Sequence, residues 1–239
     1  MTMIVLTAIR IVIAGCVTIV MSTAAILAVV VRSSTLYHMV ARGWARMVLR
    51  VFGITVAVEG AEAISPGSTY IYVSNHASMF DIPAVLAGIP DDIHIMLKKE
   101  LTRVPIWGWS LAWGPYIVVD RYKARSASES LQEAADAIRS GKSVLVFAEG
   151  TRTRTGSLLP FKRGAFAIAA RSGIPILPVA INNTFSILQK GSLNVRSAPI
   201  TLTLGTPIVT EGVMGRDGEV RLMNDTREQI EKRYVEQHV

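Results

Sequence analysis

The segment from Ile11 to Val31 constrains this chain most, because its residues are mostly apolar and none of them carries a charge. Arg10 and Arg32 bracket it. A helix of this length, about twenty residues, reaches across the hydrocarbon core of a bilayer. A signal peptide is the competing interpretation, but the stretch is long for one and no clear small-x-small cleavage site follows it. A buried helix of a soluble domain is the third. We predict a retained membrane helix; hydropathy leaves open whether it spans the bilayer or enters one leaflet.

The next segment, from Leu36 to Val51, has a different pattern. Arg42, Arg46 and Arg50 recur every four residues and therefore share one face of a helix. Most of the remaining positions are apolar, and Trp44 is among them. This pattern is typical of a basic amphipathic helix at an interface rich in anionic lipid. The alternative is a helix that packs on the globular domain and leaves its arginines in water.

The distribution of charge predicts the compartment. Positive charge is sparse before the apolar segment and dense after it, so the positive-inside rule places the chain from Arg32 onward in the cytoplasm. The single cysteine, Cys16, excludes an internal disulfide and fits a reducing compartment. The net charge of +7 could suggest nucleic acid, but no DNA- or RNA-reading motif is present. We predict a protein of the cytoplasmic (inner) membrane whose basic residues face anionic lipid or a phosphorylated substrate.

From about residue 54 the chain alternates short β-rich runs with helical patterns, which predicts an α/β domain. Several runs are apolar throughout, as in parallel strands that are covered on both faces. We expect a mostly parallel central sheet flanked by helices, in a domain of residues 53–239 that follows an N-terminal membrane-associated region of residues 1–52. The predicted strands are Ile54–Glu59, Thr69–Ser74, Ile93–Leu97, Tyr116–Val119, Ser143–Phe147, Ile176–Ile181 and Ile200–Leu204. The predicted helices of this domain are Ser128–Ser140, Gly164–Ser172 and Glu219–Gln237.

The stretch SNHASMFDIP places polar side chains where a predicted strand ends. His76 and Asp81 have the spacing H-x4-D, and Asp81 stands where a helix is expected to begin. If the chain turns between them, the carboxylate can fix the imidazole tautomer and leave the other ring nitrogen as a base. The alternative is that Asp81 caps the helix and His76 is a polar loop residue.

A second polar stretch, FAEGTRTRTG, follows another predicted strand. Gly150 permits backbone geometry that other residues resist. Arg152 can bind a phosphate with two hydrogen bonds, and Glu149 can accept from a substrate hydroxyl. A solvated, charged turn is the alternative.

Further cations, Lys98 and Arg121, stand at the ends of predicted strands. Trp107, Trp109 and Trp113 lie between them in a region that reads as a loop, where they would line an apolar channel, touch lipid or fill the core.

The order of these blocks resembles one family. NHASMFD, KKEL with PIWGW, VVDR, FAEGTR and IPILPV follow one another between about Thr69 and Val179. This arrangement is similar to that of the lysophosphatidic acid acyltransferases (1-acyl-sn-glycerol-3-phosphate acyltransferases), although Ala148 stands where the family often has proline. The resemblance implies a catalytic His76 with Asp81. It implies substrate binding by Asn75, Lys98, Arg121, Glu149, Gly150, Thr151 and Arg152.

The resemblance also implies the reaction. A fatty acyl group passes from an acyl-CoA or acyl carrier protein thioester to the sn-2 hydroxyl of 1-acyl-sn-glycerol 3-phosphate, giving phosphatidic acid. No cofactor is expected, and the scattered histidines predict no metal site. Two alternatives stay open: another acceptor, such as lyso-ornithine lipid or a different lysophospholipid, and a membrane module that binds anionic lipid without catalysis.

Overall fold

A seven-stranded sheet forms the centre of the computed structural model, which describes residues 2–119, 132 and 134–235 of the chain. The strands are β1 (Val56–Glu59), β2 (Ile71–Ser74), β3 (His94–Lys98), β4 (Ile117–Val119), β5 (Val144–Phe147), β6 (Ile176–Asn182) and β7 (Ile200–Leu204). Their spatial order is β1-β7-β6-β2-β5-β3-β4, and every neighbouring pair is parallel except β6 and β7. The prediction of a mostly parallel α/β sheet is confirmed.

Apart from the helical segment at residues 134–139, seven α-helices surround the sheet in the described part of the chain. They are α1 (Thr2–Val30), α2 (Ser34–Val51), α3 (Asp81–Gly88), α4 (Trp107–Trp113), α5 (Gly164–Ser172), α6 (Thr184–Ile187) and α7 (Gly215–Glu231). Residues 134–139 are also helical and belong to the helix predicted at Ser128–Ser140. Most of the rest of that predicted helix lies outside the described residues. The predicted binding residue Arg121 lies outside them as well. The last helix begins four residues before its predicted start at Glu219.

The segment around the three tryptophans is a helix, so the prediction of a loop there was wrong. Gly108 indicated a loop, yet it lies in the first turn of α4, where an added Cβ would collide with the backbone of Leu101 and Thr102. The glycine therefore permits a close approach between α4 and the preceding turn. Trp109 and Trp113 stack on each other and are 44% and 58% exposed, which shows that they do not fill the core.

Helix α2 packs against the sheet domain through its apolar face. Ala45, Val48 and Leu49 are buried in the same core cluster as Tyr72 and Leu177 of the central strands. Burial of these side chains removes apolar surface from water and fixes the helix on the domain. The division of the chain at residue 52 stays a prediction, and the helix before that point contributes to the core after it.

Helix α1 runs along α2 and the domain. Arg10 donates a hydrogen bond to Ser197 at 3.2 Å near one end of the helix, and Ala28 packs with Tyr37 near the other. Between them, the Trp44 indole N–H donates to Thr18 at 3.0 Å. The outward side is apolar and exposed, and by length and composition the segment Val5–Val30 could cross a membrane.

The carboxyl ends of β2, β3, β5 and β6 lie at the same edge of the sheet, because these four strands are mutually parallel. In open parallel sheets, the loops beyond this edge are where ligands bind. The polar blocks predicted from the sequence leave three of these strands, and the loop after α6 follows the fourth.

Candidate active site

His76 and Asp81 form a hydrogen-bonded pair at the carboxyl edge of the sheet. His76 Nδ1 lies 2.6 Å from Asp81 Oδ2. The same oxygen accepts the backbone N–H groups of Ala77 and Ser78 at 2.8 and 2.9 Å, so the loop wraps around the carboxylate at the start of α3. Asp81 is fully buried, whereas the His76 side chain is 18% exposed. With Asp81 ionised, Nδ1 carries the proton and Nε2 is the nitrogen that can accept one.

Phe147 fixes the plane of the imidazole. Its ring lies 4.0 Å from that of His76, centroid to centroid, at an interplanar angle of 15°. This contact follows from the sheet register, which places Phe147 beside Ser74, two residues before the histidine. Stacking on one side and the Asp81 bond at one edge together hold the ring with little rotational freedom.

Two sets of hydrogen bonds hold the loop that carries His76, one from the Asn75 side chain and one to the His76 backbone. The Asn75 amide donates to Ile181 O at 3.0 Å and accepts from Ile181 N–H at 2.8 Å, which ties the end of β2 to β6. The His76 carbonyl accepts from Thr153 N–H at 2.9 Å. Asn75 is 1% exposed, so its amide serves the sheet; the substrate-binding role that the resemblance implied for it stays a prediction.

The buried side chain of Glu149 also holds the loop that carries His76. Its two carboxylate oxygens accept the backbone N–H groups of His76 at 2.7 Å and Leu159 at 3.0 Å. The residue is 2% exposed, and burial raises the pKa of the Glu149 carboxyl from 4.5 to about 7, although the two N–H donors favour the charged form. In the structure this side chain positions the loop that carries His76, and the acceptor-orienting role that the sequence suggested for Glu149 stays a prediction.

The raised pKa of Glu149 predicts a pH-dependent stability. The folded state holds the proton up to about pH 7, whereas an unfolded glutamate releases it near pH 4.5. The free energy of unfolding should therefore fall as pH rises through this window, by about 3 kcal/mol in total. In Glu149→Gln this fall should disappear. Chemical unfolding of both proteins in one detergent at pH 5 and pH 7.5 measures it, and equal pH slopes would contradict the assignment.

A group of cations occupies the same edge. The Lys190 ammonium donates to Thr151 Oγ1 at 2.9 Å and lies 3.4 Å from the Arg152 carbonyl oxygen. Desolvation lowers the pKa of Lys190, and the positive charges of Arg154, Arg152 and Lys98 lower it further. Lys98 ends β3, the two arginines follow β5, and Lys190 follows α6. The arrangement provides a site for an anion beside His76.

Gly150 allows the turn that presents these arginines. Its φ angle is +69°, a left-handed conformation that side chains rarely adopt, and a Cβ there would press against the Lys162 side chain. Replacement of this glycine would strain the backbone between Glu149 and Arg152.

The structure brings most of the predicted residues together. His76, Asp81 and Asn75 form one loop, and 149–152 form the loop beside it. Sequence reasoning missed Phe147 and Lys190. Phe147 could have been found from its position as the last residue of a predicted strand. For Lys190 the only signal was the Lys-Gly pair in the loop after the strand of the IPILPV block.

Within residues 2–119, 132 and 134–235, no group of three or more His, Cys, Asp or Glu side chains is placed to hold a metal ion. The chemistry that the described residues support is acid–base transfer next to an anion site.

Comparison with known proteins identifies the class. Residues 55–182, more than half of the chain, match the family described as Acyltransferase, and the chain belongs to this family. The resemblance drawn from the sequence blocks is thereby confirmed.

Individual relatives agree with that assignment. The chain is 35% identical over 192 residues to a 1-acyl-sn-glycerol-3-phosphate acyltransferase of Cocos nucifera, covering 80% of this chain and 60% of the relative. It is 33% identical to the enzyme of that name from Limnanthes douglasii, covering 82% and 69%. The alpha form from Homo sapiens is 32% identical over 168 residues, covering 70% and 59%. The chain thus spans about 60% of the coconut and human relatives.

The fold matches a solved structure over nearly its full length. The crystal structure of the 1-acyl-sn-glycerophosphate (LPA) acyltransferase PlsC from Thermotoga maritima superposes with a TM-score of 0.81 at 23% identity. The match covers 96% of this chain and 95% of the other. The N-terminal helices are therefore part of the shared fold.

Proposed function

We propose that this protein transfers a fatty acyl group from a thioester to the sn-2 hydroxyl of 1-acyl-sn-glycerol 3-phosphate and so forms phosphatidic acid. The observation that carries the proposal is the buried Asp81 at 2.6 Å from His76, beside a cluster of cations at the same sheet edge. This is a base next to a phosphate site in a chain of the acyltransferase family. The names of the relatives point to the same acceptor.

In the proposed reaction His76 Nε2 takes the proton of the acceptor hydroxyl as its oxygen attacks the thioester carbonyl. The new C–O ester bond forms and the C–S bond breaks. The proton then passes from the imidazolium to the departing sulfur, so the imidazole is regenerated. Asp81 stabilises the imidazolium in between, as a buried carboxylate does in a serine hydrolase triad. The hydroxyl attacks directly, without an acyl-enzyme.

Arg152 binds the acceptor phosphate in this proposal, with help from Lys98 and, by the family resemblance, from Arg121. The guanidinium matches the geometry of phosphate oxygens and gives charge-assisted hydrogen bonds. Fixing the phosphate places the sn-2 hydroxyl relative to His76, because the two groups are separated by a short glycerol backbone.

The acceptor is a lipid, so the protein is proposed to work at a membrane surface. The outward face of α1 exposes large apolar side chains, among them Val12 and Val20 at 65% each. Because α1 contacts the protein from Arg10 to Ala28, it lies along the domain, which favours insertion into one leaflet over a full crossing. We propose that the domain lies on the cytoplasmic side of the inner membrane, and the excess of positive charge after the apolar segment supports this.

Product analysis tests this function. Purified protein in detergent is incubated with lysophosphatidic acid and either acyl-CoA or acyl carrier protein thioester, and the lipids are identified by mass spectrometry. We expect phosphatidic acid with at least one donor, and the comparison assigns the donor. Acylation of lyso-ornithine lipid or another lysophospholipid in its place would change the acceptor. If no acceptor in the panel is acylated, the protein is better explained as a module that binds lipid without catalysis.

Arg152→Met should weaken use of the phosphate-bearing acceptor. Loss of a charge-assisted hydrogen bond costs about 1.5–3 kcal/mol, which corresponds to a roughly 10- to 150-fold lower kcat/KM for lysophosphatidic acid. Monoacylglycerol, which lacks the phosphate, serves as the comparison acceptor, and its kcat/KM should change little. Initial rates with both acceptors measure the effect. An equal loss with both would show that Arg152 supports the loop and does not bind phosphate.

A further inference from the structure

We infer that Lys190 is a phosphate ligand that gives the acceptor site its preference for a doubly charged phosphomonoester over a singly charged phosphodiester. The inference rests on the proposed function and refines it, since it states which class of head group the site accepts. The blocks on which the family resemblance rests do not include this lysine.

The position of Lys190 supports a role at the site. Its loop follows β6 and α6, so it reaches the sheet edge from the side opposite to Lys98 on β3. The ammonium contacts the Thr151 hydroxyl and the Arg152 carbonyl, which belong to the loop that is proposed to bind the phosphate. An ammonium has three N–H donors. Two are directed at the loop, and the third has no partner among the described residues, so it can bind a ligand.

The charge balance also points to an anion. Lys98 at the end of β3, Arg152 and Arg154 after β5, and Lys190 after α6 together raise the local positive potential. Within the described part of the chain, none of the four forms an ion pair with a carboxylate. Four converging cations repel one another, and a bound dianion relieves that repulsion more than a monoanion does.

The alternative role is purely structural. Lys190 could hold the 149–152 loop through Thr151 and leave phosphate recognition to Arg152. Loss of that support would displace Arg152 and weaken every acceptor or analogue that reaches the site. The two roles therefore differ in whether the loss depends on the charge of the head group.

Binding of two unreactive lysolipids separates these roles. The first probe is a 1-acyl ethylene glycol phosphate, which lacks the acceptor hydroxyl. The second is the same molecule with a methyl ester on the phosphate, so that it is a phosphodiester with one negative charge less. We expect wild-type protein to bind the monoester more tightly. Lys190→Met should weaken monoester binding about tenfold and methyl ester binding less than threefold. Lys190→Arg should keep most of the preference.

Lys142→Met is the matched control. Lys142 is an exposed lysine just before β5, at the opposite end of the sheet, and its removal takes away the same charge. It should bind both probes as the wild type does. Equal weakening of both probes by Lys190→Met, no weakening of either, or no monoester preference in the wild type would each overturn the inference. Because the probes do not react, the result stands apart from whether phosphatidic acid is formed.

Discussion

Phosphatidic acid formation by His76→Ala should fall by roughly 10³-fold relative to wild type, since general base catalysis contributes about 10²–10⁴-fold. The imidazole is the only titratable ring among the described residues that is hydrogen bonded to Asp81 and partly exposed at the sheet edge. Without it, water would have to accept the proton of the acceptor hydroxyl. Initial rates at saturating donor and acceptor measure the loss.

A folding control is needed, because the substitution removes one of three donors to the buried Asp81 carboxylate. His76→Gln keeps a polar side chain at the position but cannot act as a base. Both variants should bind the unreactive phosphomonoester probe as the wild type does. A variant that binds the probe normally and still turns over within tenfold of wild type would exclude His76 as the base.

Asp81→Asn should lower the rate by roughly 10²–10⁴-fold with little change in shape. In serine hydrolases the same exchange costs about 10⁴-fold, because the amide imposes the wrong imidazole tautomer. Here all three donors bond to one oxygen, Asp81 Oδ2, so an amide oxygen in that place would keep the proton on Nδ1 but would carry no charge to stabilise the imidazolium. Single-turnover acyl transfer measures the effect.

The matched control for this exchange is Asp136→Asn, which changes an exposed acid at 61% side-chain accessibility in the helical segment 134–139. It should leave the rate unchanged. If Asp81→Asn kept wild-type activity while remaining folded, Asp81 would be a helix cap and the pairing would have no catalytic role.

The His76–Asp81 pair was predictable because it is local. Four residues separate the partners, the strand before them is a plain apolar run, and the aspartate stands at a helix start. The order of strands along the chain was also readable, since fully covered parallel strands are apolar throughout. Their bounds were shifted by one or two residues at the ends, where side chains at the edge of the sheet resemble those of loops.

The hydrogen bonds that hold the His76 loop in place were not predictable. Asn75 bonds to Ile181 across 106 residues, and Glu149 bonds to the His76 backbone across 73. Such contacts depend on which strands become neighbours, and hydrophobic patterning does not fix the order of strands within a sheet. The same reason hid Lys190, whose loop reaches the Arg152 loop only after β6 pairs with β2.

The most direct test of the central claim is thiol release from the acyl thioester by wild-type protein, recorded with and without lysophosphatidic acid. Direct attack by a hydroxyl that His76 activates predicts continuous release with acceptor and only background release without it. A burst of thiol equal to the amount of enzyme in the absence of acceptor, with an acylated protein by intact mass, would contradict direct transfer. No release under either condition with either donor would contradict the acyltransferase itself.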